Sequence, residues 1–97
     1  MHLLDGPLKT SIALHGGWVH ALVALPDNQH ALSGSDDNTI KLFNVNDGAV
    51  LRTFRHHPGL VYSARVNCLA LLPDGRRFIS GSQDNTVCIV EHGLAPQ

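Results

Sequence analysis

Apolar residues occur in short segments along the whole chain, and turn-forming residues interrupt them every few positions. In the first half, these segments cover residues 19–25, 31–32, 40–45 and 50–54. Segments of this length fit strands of about four to eight residues and are too short for ordinary helices. The pattern therefore predicts an all-β chain of antiparallel strands joined by tight turns.

The sequence also repeats itself. Leu-Pro-Asp at residue 25 recurs at residue 72, Ser-Gly-Ser at 33 recurs at 80, and Asp-Asn-Thr at 37 recurs at 84. Residues 19–43 align with residues 66–90 without a gap and share 11 identities in 25 positions. Unrelated segments of average composition would share about one or two. A period in the forties is typical of propeller blades or of solenoids of paired helices.

The turns favour blades. Asn28 and Gly75 occupy the same place after a Leu-Pro-Asp corner, and both residue types accept a left-handed backbone. Each unit is predicted to be a meander of four antiparallel strands, a to d. Strand a is apolar at consecutive positions, so both faces of each sheet are expected to be covered. The predicted strands are residues 19–25, 30–35, 39–45 and 49–54 in the first unit, then 66–72, 77–82 and 86–90.

These motifs resemble the WD40 repeat. The resemblance rests on His-Gly-Gly-Trp at residues 15–18, the Leu-Pro-Asp corners, and Ser-Gly-Ser-Asp-Asp-Asn-Thr at residues 33–39 with its second copy. It implies a partial β-propeller of about two four-stranded antiparallel blades. The expected divisions are the end of a preceding repeat at 1–13, a first repeat at 14–54, a second at 55–92 and a tail at 93–97.

The resemblance further implies a buried hydrogen-bonded tetrad of histidine, serine or threonine, aspartate and tryptophan. The matching residues of the first copy are His15, Ser33 and Asp37. Phe43 stands in the tryptophan's place, and phenylalanine has no indole N–H to donate. The His15–Asp37 end of the tetrad can still form. In the second copy a valine replaces the tryptophan, and the remaining candidates are His57, Ser80 and Asp84.

A longer loop, residues 55–65, leads into the second repeat's first strand. It carries Tyr62 and Arg65, residue types enriched at binding hot spots. In the family this loop would share one rim of the propeller with Trp18. We therefore hypothesise a partner-binding patch formed by Trp18, Tyr62 and Arg65. The alternative is a tolerated loop insertion and a tryptophan packed between blades.

The seven histidines could suggest a metal or catalytic site. No H-E-x-x-H or C-x-x-C motif occurs, so no metal and no cofactor are expected. No G-x-S-x-G elbow occurs either, and the tetrad accounts for the set of serine, histidine and aspartate. We expect tetrad and solvated loop histidines and no enzymatic activity.

Cys68 and Cys88 would lie on strands a and c of one sheet, about 9–10 Å apart across strand b. This exceeds the roughly 7 Å that a disulfide can bridge, so two buried thiols are expected. The chain also lacks the basic start and apolar stretch of a secretory signal. These features predict an intracellular protein, cytoplasmic by default, with the nucleus also open.

Charge and hydropathy narrow the class of partner. Seven basic and eight acidic residues give a net charge of −1, without runs of one sign, which argues against nucleic-acid binding. The apolar runs fall short of the roughly 18 residues of a membrane span. Other proteins are the expected partners.

The sequence therefore predicts a non-catalytic protein-interaction scaffold, a fragment of a larger propeller that docks partners on its loop rim. Further blades or copies of the chain should cover the open blade faces. One alternative is a self-assembling two-blade unit, of which about three or four copies close a ring. The other is a small His-rich hydrolase or metal-binding protein.

Overall fold

The computed structural model describes residues 11–55, 65–82 and 85–94. All regular secondary structure in these ranges is β-strand, which confirms the all-β prediction, and each predicted strand end lies within one residue of the observed one. In the described ranges there is no helix with the length and apolar character that crossing a membrane requires. The strands are β1 (Val19–Ala24), β2 (His30–Ser35), β3 (Ile40–Asn44), β4 (Val50–Phe54), β5 (Val66–Leu71), β6 (Arg77–Ser82) and β7 (Val87–Glu91).

The strands form two antiparallel meanders. The first sheet has the order β1-β2-β3-β4 and the second has the order β5-β6-β7. The two sheets also share an irregularity of register at equivalent positions. β1 departs from regular pairing with β2 between Val19 and Ala21, and β5 departs from regular pairing with β6 between Val66 and Cys68. The second sheet therefore reproduces the first three strands of the first.

The turns follow the chemistry that the sequence predicts for them. Asn28 and Gly75, at equivalent positions, have φ values of 64° and 68°. Asn38 and Asn85 both have φ of 72°. These are left-handed conformations, which glycine and asparagine adopt more readily than other residues. The same two corners therefore shape both sheets.

The hydrophobic core lies between the two sheets, where β5 packs against β1 and β2. A Cβ atom added to Gly34 would lie 2.6 Å from Cγ1 of Val66, so this close approach requires glycine. The rings of Phe54 and Phe78 contact each other edge to face, with centroids 5.3 Å apart. The buried core residues are Leu25, Leu32, Ile40, Leu42, Val66 and Phe78.

The outer faces of the two sheets are less covered than the apolar runs predict. Leu22 is 66% exposed although it lies within an unbroken apolar segment. No disulfide joins Cys68 and Cys88, as predicted, but the prediction of two buried thiols is wrong. Cys68 is exposed and Cys88 is half-buried. The reason is that, in the described residues, the second sheet packs against a neighbouring sheet on one face alone.

Candidate functional site

His15 connects the segment before β1 to β2 and to the β2–β3 turn. Its Nδ1 lies 2.9 Å from Oδ2 of Asp37, and its Nε2 lies 2.6 Å from Oγ of Ser33. Because a carboxylate can only accept, Nδ1 donates to Asp37. Thr39 adds a member that the sequence analysis missed, since its hydroxyl donates to Oδ1 of Asp37 at 2.5 Å.

This hydrogen-bonded network is largely buried. The His15 side chain has no exposed surface and Ser33 is 1% exposed, while the Asp37 side chain is 20% exposed. Phe43 lies on β3 at the position where the WD40 pattern has a tryptophan, and it is buried, with 7% of its surface exposed. The arrangement holds the turn against the sheet, with the Ser33 hydroxyl buried beneath it.

The environment of Asp37 favours its ionised form. Partial burial raises the pKa of this carboxyl, but hydrogen bonds from the Thr39 hydroxyl, His15 and the Thr39 backbone N–H outweigh it. The pKa of Asp37 is therefore lower than its ordinary value of 3.8. A lowered carboxyl pKa of this kind stabilises the folded chain at neutral pH.

The corresponding network of the second repeat falls largely outside the described residues. His57 and Asp84 both lie outside them. Ser80 is described and is 1% exposed, like its counterpart Ser33. Val90, which replaces the family's tryptophan, packs against the core. The histidine and aspartate of this second tetrad thus remain predictions.

The Leu-Pro-Asp corners carry a second repeated structural device. Asp27 accepts from the backbone N–H groups of Gln29 and His30 and pairs with the His30 ring at 2.5 Å. Its counterpart Asp74 accepts from the backbone of Arg76 and Arg77 and pairs with Nε of Arg77 at 2.7 Å.

Both corner carboxyls have lowered pKa values. Backbone hydrogen bonding from Arg76 is the main cause that lowers the pKa of Asp74 to about 2, followed by the side chain of Arg77. Burial raises the pKa of Asp27, but hydrogen bonds from Gln29 and His30 outweigh it. These pairs could have been predicted from the sequence. In both repeats, a basic or imidazole side chain follows the aspartate of Leu-Pro-Asp by three residues.

A cluster of four side chains lies where the entry to β1, the turn after β2 and the entry to β5 meet. We call it the rim cluster: Trp18, His20, Asp36 and Arg65. Asp36 is its centre, with Oδ1 lying 2.5 Å from Nε2 of His20 and 3.3 Å from Nε of Arg65. Trp18 contacts the His20 ring edge to face, with centroids 6.3 Å apart.

The rim cluster brings together two of the three residues of the predicted partner-binding patch. Trp18 is 75% exposed and does not pack between the two sheets of this chain. Arg65 is 42% exposed at its side chain and joins the cluster through Asp36. Tyr62 lies outside the described residues. His20 and Asp36 could not be recognised as partners from the sequence, because only the folded bulge of β1 brings them together.

The expectation of solvated loop histidines is wrong in detail for the described part of the chain. His20 and His30 are paired with aspartates, and His92 is 3% exposed with Nε2 lying 2.6 Å from the Gly75 carbonyl oxygen. Residues 11–55, 65–82 and 85–94 contain no group of three or more histidine, cysteine, aspartate or glutamate residues that could hold a metal ion. These histidines fix turns to strands.

Comparison with known proteins agrees with this architecture. The family model "WD domain, G-beta repeat" matches residues 6–44 and 48–91. Protein DOA1 of Saccharomyces cerevisiae is 39% identical over 62 residues, which are 64% of this chain and 8% of that protein. The Ribosome biogenesis protein WDR12 homolog of Chlamydomonas reinhardtii is 37% identical over 54 residues, 55% of this chain and 12% of that protein. The chain thus spans about a tenth of the length of these relatives or less.

Solved structures with the same arrangement include larger proteins. The computationally designed Ika4 protein superposes with a TM-score of 0.68 at 27% identity, over 92% of this chain and 50% of that one. The structure of U3-55K superposes with a TM-score of 0.70 at 26% identity, over 81% of this chain and 24% of that one. The two meander sheets and these superpositions show that the chain forms part of a β-propeller. Because the family model matches both repeats, the chain belongs to the WD40 repeat family.

Proposed function

We propose that this chain is a non-catalytic interaction module that docks other proteins on the rim cluster, as part of a larger propeller assembly inside the cell. WD40 repeat proteins are in general protein-interaction scaffolds, and the proposal narrows that role to one surface. The single observation that carries it is the position of Trp18, which is 75% exposed beside a paired Arg–Asp–His set.

Trp18 has the properties of a binding anchor. Tryptophan and arginine are enriched among residues that dominate interface energies, because each contributes a large contact area. The Trp18 carbonyl accepts from the Asp36 backbone N–H at 2.9 Å, which fixes its backbone to the β2–β3 turn. Because its backbone is already fixed, this segment loses less backbone freedom on binding than an unsupported loop would.

The charged members of the rim cluster fix the surroundings of this anchor. Asp36 pairs with both His20, which lies on β1, and Arg65, which immediately precedes β5 of the other sheet. Because both pairs are partly exposed, they contribute little stability as isolated ion pairs. Their contribution is positional: they hold a cationic and an aromatic group at neighbouring places for a partner to contact.

The hydrolase alternative lacks a supporting observation. A hydrolase that used Ser33 as its nucleophile would need substrate to reach that hydroxyl, which is buried against a His15 side chain without exposed surface. Ser33 and His15 support the turn that carries Asp36 and Asp37. We therefore assign them a structural role beneath the rim cluster.

Peptides selected from a displayed random library on the wild-type chain test the proposal. We expect Trp18→Ala to weaken binding of the selected peptides by tenfold or more, about 1.4 kcal/mol or above, and Arg65→Ala to weaken it measurably. Isothermal titration calorimetry measures both affinities.

Leu51→Ala is the matched control, because Leu51 is an apolar side chain, 44% exposed, on β4 away from the rim cluster. Its affinity should equal that of the wild type. Selected peptides that bind Trp18→Ala and Arg65→Ala as tightly as the wild type would show that docking uses another surface.

A further inference from the structure

The interface between the two sheets has two complementary halves. On the second sheet, Val66 and Leu69 project from β5 toward the first; we call this pair the knob. Val66 is fully buried. A Cβ atom added to Gly34 would lie 2.6 Å from Cγ1 of Val66 and 3.5 Å from Cδ1 of Leu69. The surface of the first sheet that receives the knob is the socket, formed by Leu32, Gly34, Ile40 and Leu42.

The repeat supplies a second socket on the second sheet, formed by Ile79, Gly81, Val87 and Ile89. The side chains match in kind, but their exposure differs. Ile40 and Leu42 are 0% exposed, whereas their counterparts Val87 and Ile89 are 69% and 65% exposed. The chain thus contains the same apolar surface twice, once covered and once open among the described residues.

The open socket has room for a knob. At Gly34, the atoms nearest to the Cβ position belong to Val66 and Leu69 of the other sheet. At Gly81, the sulfur of Cys68 is the sole neighbouring atom within 4 Å in the described part of the chain. Here the surface forms an apolar groove of about 200 Å³ that Ile79, Gly81 and Val87 help to line.

The repeat also supplies a second knob, on β1. Val19 and Leu22 are the counterparts of Val66 and Leu69, and they are 49% and 66% exposed. Leu22 pairs with Ser33, while Val23 pairs with the socket residue Leu32. Since adjacent strand positions face opposite sides, Leu22 lies on the face turned away from the covered socket. The open knob and the open socket are therefore on different surfaces.

We propose that copies of this chain associate head to tail, with Val19 and Leu22 of one copy entering the socket at Gly81 of the next. The occupant is a second copy because the chain already contains this interface between its own sheets. Knob and socket are different surfaces, so the contact is heterologous and propagates until a ring closes. With about two blades per copy, rings of about three or four copies fall within the usual propeller range of four to eight blades.

Sedimentation velocity of the 97-residue chain is the first measurement. We expect a closed oligomer of three or four copies whose population rises with protein concentration. A chain that remains monomeric up to its solubility limit overturns the proposal and indicates that other blades cover these faces. A dimer that Leu22→Asp forms as readily as the wild type also overturns it, because that association would not use the knob.

Two single substitutions separate the halves of the contact. Leu22→Asp removes the knob and Ile89→Asp removes the socket, so each variant alone should sediment as a monomer. An equimolar mixture should form a one-to-one heterodimer, because one variant keeps its socket and the other its knob. Formation of this heterodimer also shows that both variants are folded. A mixture that stays monomeric, with both variants folded by circular dichroism, overturns the proposal.

Leu51→Asp is the matched control for the added charge. Leu51 is exposed to 44% and belongs to neither knob nor socket. We expect it to assemble like the wild type. If Leu51→Asp and Leu22→Asp weaken assembly equally, the association is non-specific and the proposal fails.

Discussion

At the scale of single residues, His15 joins parts of the chain that are far apart in sequence. Its ring contacts Asp37, 22 residues later, and Ser33, 18 residues later. No buried side-chain nitrogen or oxygen in the described residues lacks a hydrogen-bond partner. Loss of one member would leave at least one neighbouring group without that hydrogen-bond partner, and leaving a buried polar group unpaired costs more free energy than the bond itself contributes. The network therefore acts as a unit.

Asp37→Asn tests this network and its pH dependence together. The folded-state pKa of Asp37 is lowered, so between that value and the unfolded value of 3.8 the folded chain binds fewer protons than the unfolded chain. Its stabilisation is complete above the unfolded pKa and is lost as the pH falls through the folded pKa. We expect Asp37→Asn to reduce the free energy of unfolding at pH 7 by about 1–3 kcal/mol.

The same substitution should flatten the acid branch of the stability curve. Urea unfolding at a series of pH values between neutral and about 2 measures this, because that range brackets the titration of ordinary aspartates. Equal stability of wild type and Asp37→Asn at pH 7, or equal slopes below pH 4, would contradict the role assigned to this carboxyl.

At the scale of the elements, packing of the sheets depends on glycine at one position of β2. A Cβ at Gly34 would lie 2.6 Å from Cγ1 of Val66 and 3.2 Å from its Cβ, a branched side chain fixed in the core. A Cβ at Gly81 would meet the Cys68 sulfur at 2.8 Å, beside an open groove into which that sulfur can move. Equivalent glycines thus meet different neighbours.

We therefore expect unequal effects from the same substitution. Gly34→Ala should lower the free energy of unfolding by about 1–3 kcal/mol through overpacking. Gly81→Ala should change it by less than about 1 kcal/mol. Urea denaturation of both variants measures the difference, with each serving as the other's control. Equal losses would mean that the sheets do not pack through Gly34.

The strands could be predicted from the sequence because local chemistry determines them. Leu-Pro-Asp corners and left-handed positions at Asn28 and Gly75 mark the strand ends in both repeats. The rim cluster could be predicted only in part. Trp18 and Arg65 have recognisable side chains, but the pairing of His20 with Asp36 depends on register across the β1 bulge. Exposure of Cys68 could not be predicted, because it depends on which sheet faces have a neighbour.

At the scale of the whole molecule, each sheet of the chain has one covered apolar face and one that is open in the described residues. Val19 and Leu22 are exposed on the first sheet, and Val87 and Ile89 on the second. Exposed apolar surfaces of this kind mark sites of association. The rim cluster shares no residue with the knob or the socket, although Trp18 directly precedes the knob residue Val19.

The thiol of Cys68 reports on the open socket. Cys68 is exposed and helps to line the groove at Gly81. We expect its reaction with a thiol reagent to slow as protein concentration rises, because a knob from another copy would cover it. The Leu22→Asp variant, which lacks that knob, should react at one rate at all concentrations. A wild-type rate that is also independent of concentration would contradict head-to-tail association. Mass spectrometry of the labelled peptide distinguishes Cys68 from Cys88.

The replacement of the family's tryptophan in both repeats has an optical consequence. Phe43 and Val90 occupy the strand positions where a tryptophan would stand, so Trp18 is the sole indole of the chain. Because Trp18 is 75% exposed in the folded state, unfolding adds little to its contact with water. The chain therefore carries one fluorophore, placed where a docked protein would remove that water.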